Sequence, residues 1–185
     1  ICPDESIKMV ENNKSRMYVG QFRNGEMVYG RLAAGEENSG KLVNMVREEA
    51  RQTALEHGLD TIVIDGPPGI GCAVISTITG VDHVVIVTEP TLSGLHDLER
   101  TVLMTSKFNL KTWVLINKFD LNEEIAIRIE NYCIDNKIAL AGKIPFDKQV
   151  VEAMVNCKSV VEYNPESGVS NIIAQVFNRL TSNIL

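Results

Sequence analysis

Four short apolar runs dominate what this chain can fold into. Leu59–Asp65 (LDTIVID), Asp82–Thr88 (DHVVIVT), Lys111–Asn117 (KTWVLIN) and Ile138–Ile144 (IALAGKI) each have the length of one strand, and each is followed by a stretch with helical spacing. Those helices are expected near residues 72–79, 93–107, 122–136 and 147–156, with a last one over about 167–182. A strand that is apolar along its whole length is buried on both faces, as happens in a parallel sheet covered by helices. Crossovers between such strands are right-handed. The expected class is therefore α/β, a mostly parallel sheet with helices on both faces. Such sheets bind ligands at the carboxyl ends of their strands. Chemistry is accordingly expected after Ile64, Thr88, Ile116 and Ile144.

Two elements precede this pattern. Residues 17–32 (MYVGQFRNGEMVYGRL) read as a β-hairpin with Asn24-Gly25 at the turn, because both central positions of a type I′ turn need positive φ. A helix is expected from Asn38 or Ser39 to His57, with Leu42, Val43, Val46, Ala50 and Ala54 on one face and Gly58 as its stop.

Composition narrows the partners. A net charge of −6 leaves no basic stripe with which to neutralise a nucleic-acid backbone. Nucleotides stay open, since backbone N–H groups and one or two local cations can hold them. The longest apolar run falls far short of the roughly 20 residues that a membrane span needs. The cysteines at 2, 72, 133 and 157 form no C-x-x-C pair, which argues against zinc. With no leader in view, reduced cytoplasmic thiols are expected. The chain opens Ile-Cys-Pro and reads like the interior of a longer protein. His57, His83 and His96 show no metal spacing and are expected to be structural, and Cys133 and Cys157 fall in helical patterns as small core residues.

Three loops carry candidate chemistry. After the first apolar run comes Asp65-Gly66-Pro67-Pro68-Gly69-Ile70-Gly71-Cys72. A carboxylate at a strand tip can hold nucleotide-bound Mg²⁺ directly or through a water. The glycines and prolines suit a loop that brings its backbone close to a phosphate. The bland alternative is a strand-ending turn with Asp65 as a helix cap. After the third run, Asn117-Lys118-Phe119-Asp120 has the N-K-x-D form with which GTPases read guanine; a plain turn is the alternative. After the fourth, Pro145, with Asp147 close behind, can present a flat edge to a base, or Asp147 can simply cap the next helix. Gly35–Leu42 (GEENSGKL) mimics a phosphate loop but ends in Leu42, which has no oxygen for Mg²⁺, and carries two acids that repel phosphate. A helix start with Lys41 at a subunit interface is the expected reading there.

Taken together, DGPPGIGC, TEPTLSGLHDL, INKFD, KIPFD and GEENSGKLV resemble the MinD/ParA/Mrp group of P-loop ATPases, in particular its branch with an inserted ferredoxin-like module. The resemblance runs over nearly the whole chain. It implies that residues 1–16 are the tail of that insert and 17–185 the C-terminal portion of the ATPase domain, with the P-loop and its strand outside this chain. It implies ATP and Mg²⁺ as cofactors, and a 4Fe–4S cluster in the parent protein with Cys2 as one ligand. Asp65 resembles the acid that holds Mg²⁺, and Gly66, Pro67, Pro68 and Gly69 the switch loop that senses the γ-phosphate. Asn117 resembles the adenine contact, in a loop with Lys118 and Asp120; Pro145 and Asp147 resemble the second base-edge loop. Gly35–Leu42 and the switch loop lie where relatives form a homodimer, and an iron–sulfur or redox partner is implied. Cys72 stands where the related nitrogenase iron protein places a cluster ligand, though its second cysteine has no counterpart in Gly35–Leu42. The expected function is the C-terminal portion of an ATP-hydrolysing dimeric switch. A GTP-binding switch and a non-catalytic interaction module are the alternatives. Against the GTPase, its D-x-x-G glycine falls one residue late, at Gly69.

Overall fold

A computed structural model of the chain describes residues 15–23, 25–33 and 39–182. It divides into two compact units, residues 1–79 and 80–185.

The first unit holds the hairpin and two helices. Strands β1 (Arg16–Phe22) and β2 (Gly25–Arg31) pair antiparallel, with Tyr18 opposite Tyr29 and Phe22 opposite Gly25. Gly25 thus belongs to the ladder rather than to the turn expected at Asn24-Gly25, and Asn24 lies outside the described residues. The rings of Tyr18 and Tyr29 stack with centroids 4.9 Å apart. Helix α1 (Ser39–His57) ends where its spacing predicts, and Gly58 takes the positive φ of +64° that stops it. Its Leu42 and Val46 lie against Gly30 of β2, where an added Cβ would stand 3.0 Å from Leu42. Helix α2 (Cys72–Ile78) is tied to α1 by Arg47, whose guanidinium donates to the carbonyls of Ser76 and Thr79 at the end of α2.

The expected strand at Leu59–Asp65 does not form. The segment joins no ladder among the described residues, and Leu59, Ile62 and Val63 stand exposed, Val63 at 86%. Apolar composition reports that a segment is suited to burial. A strand also needs a neighbour to take its backbone N–H and C=O groups, and the described part of this unit supplies none.

The second unit is the α/β layer that the remaining runs predict. Strands β3 (His83–Thr88), β4 (Lys111–Asn117) and β5 (Ala139–Ile144) form a parallel sheet in the order β3-β4-β5. Helices α3 (Leu92–Lys107), α4 (Glu123–Asp135), α5 (Lys148–Val155), α6 (Val160–Tyr163) and α7 (Gly168–Thr181) complete it. Side chains of β4 alternate between two cores. Val114 and Ile116 pack with Leu95 and Leu98 of α3 and Ile125 and Ile129 of α4, while Trp113 packs with Ala141 and with Val176 of α7. Gly142 of β5 lets α7 approach, since a Cβ there would meet the Val176 side chain at 2.5 Å. A third cluster joins Ala153, Val160 and Val169 beneath the end of β5. The helix starts are capped by side chains: Thr91 to the Gly94 N–H, Asn122 to Ile125, and a reciprocal box between Ser159 and Glu162. Helix α6, a single turn with that box, was not among the expected elements.

Ile129 is fully buried at the centre of the larger core. Ile129→Ala is expected to cost about 2–5 kcal/mol by removing buried methylenes and leaving a cavity. Leu103→Ala, at a side chain 62% exposed on α3, should stay within about 0.5 kcal/mol. Denaturant midpoints of the two variants measure the difference.

Candidate nucleotide site

The Asp65 loop lies in the first unit. The Asp65 side chain is exposed at the end of the extended segment 59–65, and the loop reverses through Pro67, Pro68 and Gly69 into α2. Gly69 takes φ +95°, a conformation that L side chains rarely adopt. A Cβ on Gly66 would stand 2.9 Å from the Thr77 methyl, so α2 packs against bare backbone at that point. Asp65, Gly66, Pro67 and Pro68 border a cavity of about 530 Å³, whose other wall includes Leu42 and Val43 of α1. The carboxylate is thus the charged group of an otherwise largely apolar hollow. The cap alternative finds no support here: α2 starts at Gly71-Cys72 with no side-chain cap bond.

The base-reading candidates lie in the second unit, at the carboxyl ends of β4 and β5. Asn117 is the last residue of β4, in register with Ile144 at the end of β5. Among the described hydrogen bonds none uses its carboxamide. Lys118 follows in the left-handed region, φ +53°, and a 3₁₀ turn covers Phe119–Leu121. Lys118 Nζ donates to Glu89 Oε1 at 2.7 Å, which ties the end of β4 to the loop after β3. Both groups are more than a third exposed, so the pair adds at most about 1 kcal/mol and its main effect is positional. The Phe146 N–H donates to Asp120 Oδ1 at 2.7 Å, which ties the same segment to the loop after β5. Lys143 completes the set: its ammonium lies 5.1 Å from the centre of the Phe119 ring and donates to Glu130 at 2.9 Å.

The other predicted residues are placed as follows. Pro145 follows β5 directly, and Asp147 caps α5 by accepting the Gln149 N–H at 2.8 Å, the bland alternative for that residue. Lys41 and Leu42 sit in the first turns of α1, with Lys41 exposed and Leu42 packed on β2. Gly35–Asn38 and Cys2 lie outside the described residues. Cys133 is buried as expected, and burial, with Glu130 nearby, pushes its thiol up to about 11. Cys157 departs from expectation: it is exposed, with φ +53°, because α5 ends at Val155 and the chain turns there. Cys72 is exposed at the start of α2. His57 ends α1 with its Nδ1 3.1 Å from Glu26 Oε1 of β2. Among the described residues no group of three or more His, Cys, Asp or Glu could hold a metal ion, and no helix is long and apolar enough to cross a membrane. Glu89 escaped the residue-level reading. The available signal was an acid directly after an apolar strand, facing the lysine that follows the next strand.

Residues 39–181 match a family model described as ParA, NUBPL iron-transfer P-loop NTPase. Two uncharacterized proteins of Methanocaldococcus jannaschii are similar: one is 29% identical over 171 residues, covering 92% of this chain and 56% of the relative. The other is 26% identical over 175 residues, covering 95% and 58%. The chain therefore spans somewhat over half the length of these relatives. Among solved structures, MinD of Pyrococcus horikoshii, complexed with Mg-ADP, superposes with TM-score 0.65 at 22% identity, covering 86% of this chain and 65% of that one. A MinC:MinD complex of Aquifex aeolicus gives 0.64 at 20% identity, covering 89% and 66%. At these identities the likeness is one of fold.

The close approach at Gly66 yields a direct test. Gly66→Ala is expected to destabilise by about 1–3 kcal/mol through crowding against the Thr77 methyl. Thr77→Ser removes that methyl, so the double variant should recover about 1 kcal/mol of the loss. Additive melting shifts from the two single changes would refute the contact.

Proposed function

Because the chain belongs to the ParA family of P-loop NTPases, we propose that it is the C-terminal portion of an ATP-binding, ATP-hydrolysing dimeric switch protein that serves iron–sulfur chemistry. The observation that carries the reading is the set of cross-tied loops at the carboxyl ends of β3, β4 and β5, where no hydrogen bond among the described residues uses the Asn117 carboxamide. A carboxamide offers a donor and an acceptor side by side, which matches the N6 and N7 edge of adenine.

In this reading the P-loop and its strand belong to the part of the protein that the relatives' additional length represents. That strand would supply the missing neighbour of Leu59–Asp65. Asp65 holds Mg²⁺ or a water in its shell. An exposed carboxylate at the end of an extended segment fits that need, since Mg²⁺ at a nucleotide takes one or two carboxylates plus phosphate oxygens. Held by Asp65, Mg²⁺ would supply positive charge to offset the charge that develops on the phosphates during hydrolysis. Gly66–Gly69 form the switch, where bare backbone and a positive φ let the loop approach a phosphate. Dimerisation runs through residues 35–42 and this switch, and Lys41 is exposed for it. A 4Fe–4S cluster needs four thiolates, and the described cysteines are dispersed. The cluster is therefore assigned to the remainder of the protein with Cys2. The link to iron is supported by the description of the matching family model, which names iron transfer. A redox or cluster-accepting partner follows from the same reading.

Two substitutions in the whole protein test it. Asp65→Asn keeps the shape and removes the charge, so hydrolysis should fall by roughly two to three orders of magnitude, about 3–4 kcal/mol of barrier, while Mg²⁺-free nucleotide binding changes little. Single-turnover hydrolysis and melting on the same variant separate this from a stability effect; normal turnover with a lowered melting point would sink the assignment. Asn117→Ala should weaken ATP binding by about 1–3 kcal/mol through an unpaired base edge. Calorimetry showing intact ATP binding and lost GTP binding would instead favour a GTP switch.

A further inference from the structure

The guanidinium of Arg47 crosses from the middle of α1 to the end of α2. Its Nη1 donates to the Ser76 carbonyl, and its Nη2 donates to the Thr79 carbonyl at 2.6 Å. The last carbonyls of a helix have no partner within it, and their partial negative charge favours a cation. Arg47 meets both needs at once. Its Nε is buried and finds no hydrogen-bond partner among the described residues, so the group is held by its two outer nitrogens rather than turned to solvent. The base of this arm is anchored too, since the preceding residue, Val46, lies against Gly30 of β2. Between the two clamped carbonyls comes Thr77. It is buried, its hydroxyl donates to the Ala73 carbonyl at 2.8 Å, and its methyl faces Gly66, where an added Cβ would stand 2.9 Å away. Gly66 is the residue after Asp65. A line of contacts thus runs from Arg47, through the end of α2 and the Thr77 methyl, to the backbone that carries Asp65.

We infer that Arg47 is a positioning residue for the Asp65 carboxylate: by fixing the end of α2 it sets Thr77 against Gly66, and so fixes the backbone from which Asp65 projects. The positioning role rests on the reading above that Asp65 holds Mg²⁺; the clamp on α2 stands on its own geometry. Pro67 and Pro68 follow Gly66 and stiffen the chain on its far side, so a displacement of α2 is passed back to Asp65. Groups one step behind a metal ligand orient it, and losing them typically costs roughly 10–100-fold in metal affinity or activity. Lysine replaces Arg47 only in part, because it offers a point charge where the guanidinium spans two carbonyls.

The test uses the whole protein and four variants: Arg47→Met, which keeps the apolar stem and removes both donors, Arg47→Lys, Asp65→Asn, and Asp65→Asn combined with Arg47→Met. Each is followed by ATP hydrolysis against Mg²⁺ concentration, by Mg²⁺-free ATP binding, and by amide exchange over residues 72–79. Arg47→Met should raise the Mg²⁺ needed for half-maximal hydrolysis by roughly 10-fold, leave Mg²⁺-free ATP binding unchanged, and speed exchange over 72–79. Arg47→Lys should fall between that variant and the wild type. Because Arg47 acts through Asp65, the double variant should hydrolyse ATP as slowly as Asp65→Asn alone, within about twofold. A purely stabilising role gives a lowered melting point with unchanged Mg²⁺ dependence, and losses that multiply in the double variant; either outcome overturns the inference. If Arg47→Met does not fold, Arg47→Lys carries the same comparisons. Should Asp65→Asn hydrolyse ATP normally, the metal reading and the positioning role fall together, and exchange over 72–79 alone then upholds or overturns the clamp.

Discussion

The second unit depends on the burial of β4. It is the middle strand of the parallel sheet, and its side chains enter a core on each face: Val114 and Ile116 fully buried on one, Trp113 nearly so on the other. A strand held in this way has no freedom to slide or rotate, since a one-residue slip would move each of these side chains to the wrong core. Its carboxyl end is therefore a fixed point. Asn117, Lys118 and the turn that follows are delivered there without the uncertainty that attends most loops.

The loops are then fixed to one another by side chains rather than by ladders. Lys118 reaches Glu89 after β3, Asp120 takes the Phe146 N–H after β5, and Lys143 braces Phe119 from β5. Each contact is partly exposed and weak by itself. Their value is geometric, because three short segments from different parts of the chain share one arrangement. A binding site needs that kind of support around its recognition group more than it needs another contact to the ligand.

The first unit shows the opposite condition. Leu59–Asp65 has the composition of a buried strand and no ladder, and the loop it feeds, with Gly66 against Thr77 and Gly69 at positive φ, borders an open hollow. Backbone hydrogen bonds and side-chain burial are separate demands. Here the side chains are chosen for a sheet interior whose other strand the described unit lacks. The aligned residues cover 56% and 58% of the two curated relatives' length.

What the sequence determined by itself was local. Apolar runs and helical spacing located β3, β4 and β5, helices α1–α5 and α7, and the α/β class, because strand burial and helix amphipathicity are written at periods of two and 3.6. Glycine and acid punctuation located the Asp65 loop and the Asn117–Asp120 loop. Only the tertiary structure decided what required two distant segments to meet. That Asp147 accepts the Gln149 N–H and caps α5 is not legible in the sequence. Cys157 reads as core until the chain turns outward after Val155. Glu89 means nothing until Lys118 reaches it, and that Asp120 accepts the Phe146 N–H is not legible in the sequence. Periodicity encodes which face of an element is apolar. It does not encode which polar group on one loop finds its partner on another, since that pairing exists only once the strands between them have stacked.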